Sequence, residues 1–110
     1  MDCLFCRIAA GEIPAKLAYA SAAVVAFHDI APQAPFHVLV IPRAHHDDVA
    51  ALTVAAPDLA AELLRVAAEL GAEYDAGFRV VFNTGEDGGQ SVSHVHAHVL
   101  AGRGLTWPPG

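Results

Sequence analysis

Residues 94–100 read His94-Val95-His96-Ala97-His98-Val99-Leu100, with three imidazoles on alternate positions. On an extended chain successive side chains point to opposite faces, so the three rings share one face. Same-face neighbours then lie roughly 7 Å apart, from a rise of about 3.3 Å per residue. Val95, Ala97 and Val99 share the other face and can pack on a helix. A solvent-facing polar strand would also place histidines there, but Lys, Thr or Glu would serve it equally well. Two chemical readings compete. The rings could hold a metal, since imidazoles two apart on a strand can share one ion. They could instead act as nucleophile and proton carrier, for which imidazole is suited near neutral pH.

Other residues of the same kind lie along the chain. "FHVLVIP" puts His37 on an alternating segment together with Leu39 and Ile41. "AFHDI" ends a strand with His28 and Asp29, a pair that taken alone also suits a capped turn. "NTGEDGGQS" holds Asn83, several glycines and Ser91 just before the histidine row. A glycine turn can present backbone N–H groups to an anion, although glycine-rich hairpins are common without one. Cys3 and Cys6 are the only cysteines. In a reducing compartment a C-x-x-C pair suggests metal or redox work more than a structural disulfide.

The elements that must position these groups can be read from periodicity. An apolar segment with a helical turn opens the chain and ends at Gly11. Strands are expected near Leu17–Tyr19, over "AAVVAFHDI", "FHVLVIP" and "FRVVFNT", and over "VSHVHAHVLAG". "APQAP" must be a loop. One longer helix starts at Pro57 and Asp58, residues suited to a first turn. Leu59, Leu63, Val66 and Leu70 recur on it as a single apolar stripe, read as core or dimer interface. Gly71 or Gly77 ends it. Strands around one long helix, without βαβ alternation, predict an α+β domain: an antiparallel sheet with helices on one side.

The chain has 110 residues, 55% of them hydrophobic, which suits a single domain spanning 1–110. Alanine supplies much of that fraction, so a thin core completed by dimerisation is expected. A formal charge of −6 argues against a nucleic-acid partner. No run reaches the roughly 18 unbroken apolar residues of a membrane span, and the N-terminus lacks a signal-peptide pattern. A cytoplasmic location is the expectation.

With these residues assembled, the chain resembles the histidine triad (HIT) proteins, specifically the Hint branch. "HVHAHVL" matches the signature in which three histidines alternate with apolar residues. "GGQS" before it, "WPPG" at the end, and "EIPAK", "AFHDI", "PQAP" and "HVLVIPRAH" upstream match as well. The resemblance implies a two-layer α+β fold, with one long and one short helix, whose sheet continues across a two-fold homodimer. It implies a purine nucleoside phosphoramidase that cleaves adenosine 5′-monophosphoramidates or aminoacyl adenylates to AMP, with GMP as another purine to weigh.

Residue roles follow from the same resemblance. His96 matches the nucleophile that forms a nucleotidyl-histidine, and His98 a contact to the phosphate oxygens. Ser91 and the backbone around Gly89 and Gln90 match contacts to the phosphate and the leaving amine. Asp29 matches the ribose-hydroxyl acceptor. Leu4, Phe5, Ile8, Phe27, His28, Ile30 and Leu39 match the base and ribose pocket, although Phe5, Phe27 and Leu39 also suit an ordinary core. Asn83 matches a nucleotide contact, and His37 a fourth histidine supporting the row. Trp107 matches a residue that reaches the partner subunit's site; it also suits a simple hydrophobic anchor for the tail. Cys3, Cys6, His45 and His94 match a structural zinc site in related uridylyltransferases, with His46 read as a surface residue. No cofactor is implied for catalysis. Two rivals stand beside this reading: a hydrolase whose catalytic zinc is held jointly by His94, His96 and His98, and a nucleotide-binding interaction protein with little turnover.

Overall fold

The structure, a computed structural model, describes residues 3–110. Five strands form one antiparallel sheet in the order β1-β2-β3-β5-β4: β1 Leu17–Ala20, β2 Val24–His28, β3 Phe36–Pro42, β4 Phe78–Phe82 and β5 Ala97–Ala101. The α+β class and the antiparallel sheet are those expected from the sequence. β3 sits at the centre, paired with β2 on one side and β5 on the other. This register sets Leu39 opposite His98 and His37 opposite Leu100, so these four side chains share one face.

The opposite face carries the main core. Val38, Val40, Ala97 and Val99 are fully buried there against helix α3, Pro57–Gly71. The predicted stripe is present but rotated. Leu63 and Val66 are fully buried, Ala60 and Ala67 join them, and Leu59 and Leu70 lie half-buried at the margins. α3 begins at Pro57, which needs no N–H partner at a first turn. It ends at Gly71, where any side chain would meet the ring of Phe78.

Two features depart from the sequence reading. A further helix, α2 Val49–Ala55, precedes α3; Asp48 caps it by accepting from the Ala51 N–H at 2.8 Å. Leu52 is its single buried residue, and a short Ala/Val/Thr-rich helix gives little periodic signal. The short helix α1, Leu4–Ala9, does not lie beside α3. It covers the histidine face, where Cys3 and Phe5 pack with Val25, Phe27, Leu39 and Ile41 in a second cluster. The helices therefore occupy both faces of the sheet.

The last strand is also shorter than expected. It begins at Ala97, so His94 and His96 precede it and only His98 lies within it. The reason lies across the sheet. Extending the β3–β5 register would set Val95 opposite Pro42, which has no N–H to give. The chain instead bonds Val95 N–H to the His46 carbonyl at 2.8 Å. Among the described residues no helix is long and apolar enough to cross a membrane.

Candidate active site and metal centre

The sheet's histidine face, α1 and the segment leading into β5 enclose a cavity of about 720 Å³. Leu4, Phe5, Ile8, Phe27, His28, Asp29, Ile30, Leu39, Ser91, His96 and His98 line it, together with Ile13, Pro14, Ala15, Lys16 and Val92. The first eleven were singled out in the sequence. The other five were missed, because apolar or exposed residues before β1 and within the approach to β5 carry no local mark of a pocket. Phe5 and Phe27 are nearly buried and meet edge to face at 5.4 Å, and Phe5 meets His96 the same way at 5.1 Å.

Backbone partners decide where the protons sit on these imidazoles. His96 Nδ1 lies 2.8 Å from the carbonyl of His94. A carbonyl only accepts, so Nδ1 carries the hydrogen and Nε2 keeps its lone pair. The Gln33 backbone N–H donates to His37 Nδ1 at 3.0 Å. His37 must then carry its hydrogen on Nε2, which lies 2.9 Å from His98 Nδ1. His98 accepts there and keeps its own hydrogen on Nε2. One face thus presents a nucleophilic nitrogen, on His96, and an N–H donor, on His98, with ring centroids 5.1 Å apart.

Burial reinforces this pattern. It holds His98 down to about 4, and the neighbouring His96 and His37 push the same way. Burial likewise lowers His37, which Asp29 at 3.6 Å opposes without reversing. Both rings are therefore neutral at pH 7. Asp29 accepts from the Ala31 N–H at 2.8 Å and keeps its second oxygen for a ligand or His37.

The first histidine of the row serves another centre. His94 is fully buried, and its Nε2 donates to the Pro42 carbonyl at 2.8 Å. Its Nδ1 faces Cys3 and Cys6 Sγ, each at 3.4 Å. His45 is oriented in parallel: Nε2 donates to Asp47 at 2.9 Å, and Nδ1 faces Cys6 Sγ at 3.4 Å. The four donor atoms all lie within 4.8 Å of one another. A tetrahedral zinc with Zn–S near 2.3 Å and Zn–N near 2.05 Å has S···N edges of about 3.5 Å. The donor set, its spacing and the outward N–H bonds that orient both rings all fit such an ion. His46 stands outside the group and contributes only its carbonyl.

The thiols are already differentiated. Burial would raise Cys3, but donors from Cys6 and His45 outweigh it and hold Cys3 below the ordinary thiol range. Burial and the neighbouring Cys3 push Cys6 up. The rival with one catalytic zinc on all three row histidines does not fit this geometry. Both nitrogens of His94 are directed away from His96 and His98.

Four further residues matched to the ligand are not among those lining the cavity. Asn83 donates to the Gly88 carbonyl at 2.7 Å, and Gln90 donates to the Asp47 and Val92 carbonyls at 2.6 and 3.0 Å. Both side chains brace the glycine turn instead of lining the cavity. Gly89 holds φ +80° in that turn, a conformation open to glycine at no steric cost. Trp107 is 82% exposed and does not line the cavity of its own chain.

The HIT domain profile matches residues 10–105. The chain belongs to the HIT family. A HIT family hydrolase from Legionella pneumophila shares 46% identity, and its crystal structure superposes with a TM-score of 0.94 over 99% of this chain and all of that one. A 14 kDa zinc-binding protein of Brassica juncea is 40% identical, covering 99% of this HIT protein and 100% of the relative. A histidine triad nucleotide-binding protein from Candida albicans superposes with a TM-score of 0.82 at 31% identity, over 97% of this chain and 83% of its own.

Proposed function

We propose that this HIT protein is a nucleoside phosphoramidase that hydrolyses adenosine 5′-monophosphoramidates, or aminoacyl adenylates, to AMP. The observation that carries the reading is the proton placement on His96. Its Nδ1–H is committed to the His94 carbonyl, and its Nε2 lone pair faces the cavity beside a fixed donor on His98.

In the first step Nε2 of His96 bonds to the α-phosphorus and the substrate's P–N bond breaks. The electron pair leaves with the amine nitrogen, which takes up a proton from solvent water. Positive charge on the nucleotidyl-imidazole is met by Nδ1–H donating to the His94 carbonyl. In the second step water bonds to phosphorus, the P–Nε2 bond breaks, its pair returns to the ring and the water's proton is lost. Splitting the displacement this way is the benefit of covalent catalysis. The His98 Nε2–H and the Ser91 hydroxyl are placed to meet charge on the phosphoryl oxygens, and preplaced donors of that kind stabilise it without reorganising. Asp29 accepts from the ribose hydroxyls, and the Phe5–Phe27–Leu39 wall takes a purine, adenine or guanine.

Cys3, Cys6, His45 and His94 would hold a structural zinc. With four protein ligands the ion would pin the N-terminus and the approach to β5, leaving no open position for water. We place the protein in the cytoplasm, where reduced thiols suit such a site. We also place it in a two-fold homodimer with a continuous sheet, in which Trp107 reaches the partner's cavity.

Brief incubation with adenosine 5′-phosphoramidate, acid-free quenching and intact-mass measurement tests the central step. An added nucleotidyl mass on the wild type, absent from His96→Ala, is the expected result. Full turnover by His96→Ala would overturn it. A nucleotide-binding protein without physiological turnover would instead bind AMP and form no adduct.

A further inference from the structure

Two groups outside the catalytic row are reactive in their own right. Cys3 and Cys6 are the only cysteines of the chain, and both are free thiols. They stand three apart across the first turn of α1, where the Cys6 N–H donates to Cys3 Sγ at 3.4 Å. The helix rise and radius put Cα atoms three apart about 5 Å from one another, inside the roughly 4.4–6.8 Å that disulfides span. Both sulfurs already converge on His94 Nδ1, each at 3.4 Å, and lie within 4.8 Å of each other. Bonding them together asks only for side-chain rotation within that turn. The two differ in access. Cys3, although 8% exposed, forms part of the lining of a second cavity of about 390 Å³. Asp47, Ser91 and Ser93 in the same lining are exposed, so this cavity opens to solvent. Cys6 lines neither this cavity nor the larger one.

We infer that Cys3 and Cys6 form a reversible oxidation site: a small hydroperoxide entering the second cavity meets Cys3, and Cys6 then closes a disulfide that dismantles the metal centre. Cys3 Sγ attacks one peroxide oxygen, the O–O bond breaks, and the released hydroxide takes a proton from solvent to become water. Cys6 Sγ attacks the sulfur of the resulting sulfenic acid. The S–O bond breaks, and its hydroxide leaves as a second water with another solvent proton. The two thiolates lose two electrons in all, and the peroxide takes both. The disulfide removes both sulfur ligands. His45 and His94 alone do not make the closed four-ligand site that zinc takes, so the centre no longer holds the ion. This last part rests on the zinc reading. The tie between the N-terminus and the approach to β5, across 91 positions, gives way to one between residues three apart. Closing so short a loop restricts the unfolded chain far less. His96 and His98 take no part, so oxidation lowers stability without reaching the nucleophile.

The zinc-loaded protein, freed of reductant and given about a 10-fold excess of hydrogen peroxide, tests this by mass and by metal. The expected result is a loss of about 2 Da, the two hydrogens of the dithiol, with zinc passing in step to a chromogenic chelator. Dithiothreitol and added zinc should reverse both changes. The melting temperature should fall by at least about 5 °C on oxidation, while hydrolysis per folded molecule holds. Cys6→Ser keeps the attacked thiol without its partner and should stop at the sulfenic acid, which dimedone captures. Cys3→Ser should resist the same dose. Zinc retained at unchanged mass overturns the site, as does release with added oxygens and no loss of hydrogen. Capture by dimedone on Cys3→Ser in place of Cys6→Ser overturns the order of attack. The wild-type masses decide the pair even where a variant fails to fold. A protein that takes up no zinc overturns the metal half together with the zinc reading, and the mass alone then decides the pair. Failure of every arm leaves the phosphoramidase reading standing, since the nucleotidyl adduct on His96 is measured separately.

Discussion

A chain of three backbone and side-chain contacts sets the chemistry of the row: Gln33 N–H to His37, His37 to His98, and His96 to the His94 carbonyl. One consequence is that His98 cannot relay a proton. To replace a hydrogen given up at Nε2 it would draw on His37, whose own Nδ1 is met only by a peptide N–H that does not ionise. His98 therefore acts as a fixed donor, and in this reading the leaving amine takes its proton from solvent. Imidazole nitrogen shifts measured by NMR should show His98 neutral, with hydrogen on Nε2, from pH 8 down to about 4, the value at which burial places its protonation. An imidazolium signal for His98 at pH 6 would contradict the fixed-donor role.

The elements carry these rings with different degrees of legibility. The alternation in "FHVLVIP" and the two-residue spacing of the triad were enough to put His37, His96 and His98 near one another, because period two fixes a face without any tertiary knowledge. The separation of His94 from its neighbours was not readable from that alternation alone. It depends on Pro42, on the adjacent strand β3, ending the ladder and offering its carbonyl to His94. The place of α1 was equally hidden, since six residues of helix say nothing about which face of a sheet they cover. Asn83 and the backbone at Gln90 entered only through the family resemblance, and the side chains of both residues hold the turn that delivers Ser91. That turn is sterically closed. A Cβ on Gly88 would overlap the Thr84 carbonyl oxygen, a backbone atom that cannot step aside. Gly88→Ala should leave the helices and sheet intact by circular dichroism and destabilise the fold by about 1–3 kcal/mol, as overpacking does. Because it displaces Ser91, it should also cut kcat/KM by at least about 10-fold, the scale on which small misplacements act. An unchanged kcat/KM would show that the turn does not position Ser91 for chemistry.

At the scale of the whole molecule, two sets of buried and half-buried groups couple stability to solution conditions. The Cys3–Cys6–His45–His94 group joins the N-terminal segment to the approach to β5 over more than 90 positions of chain, since Cys3 and His94 are 91 apart. An ion held there adds its binding free energy to folding. Stripping the metal-loaded protein with a chelator should lower its melting temperature by at least about 5 °C, the shift expected from roughly 1 kcal/mol in a chain of this size. Hydrolysis per folded molecule should stay within about 2-fold, since no step of the proposed displacement uses the ion. The second set is His37 and His98, both held below the ordinary histidine range, chiefly by burial. In the unfolded chain these rings protonate near pH 6.5. Above that value neither state charges them and they add no pH dependence. As pH falls from about 6.5 toward about 4 the unfolded state binds protons that the fold refuses, so stability declines. Below about 4 His98 charges in both states and its contribution levels off. Asp29 beside His37 offsets part of this without reversing it. Denaturant midpoints taken from pH 7.5 to 4.5 should therefore fall more steeply for the wild type than for His98→Asn, in which one refused proton is gone and the carboxylates are common to both. Equal slopes would mean that the ring charges freely inside the fold, and a ring that charges freely is no longer held to the single N–H on which the site's donor role depends.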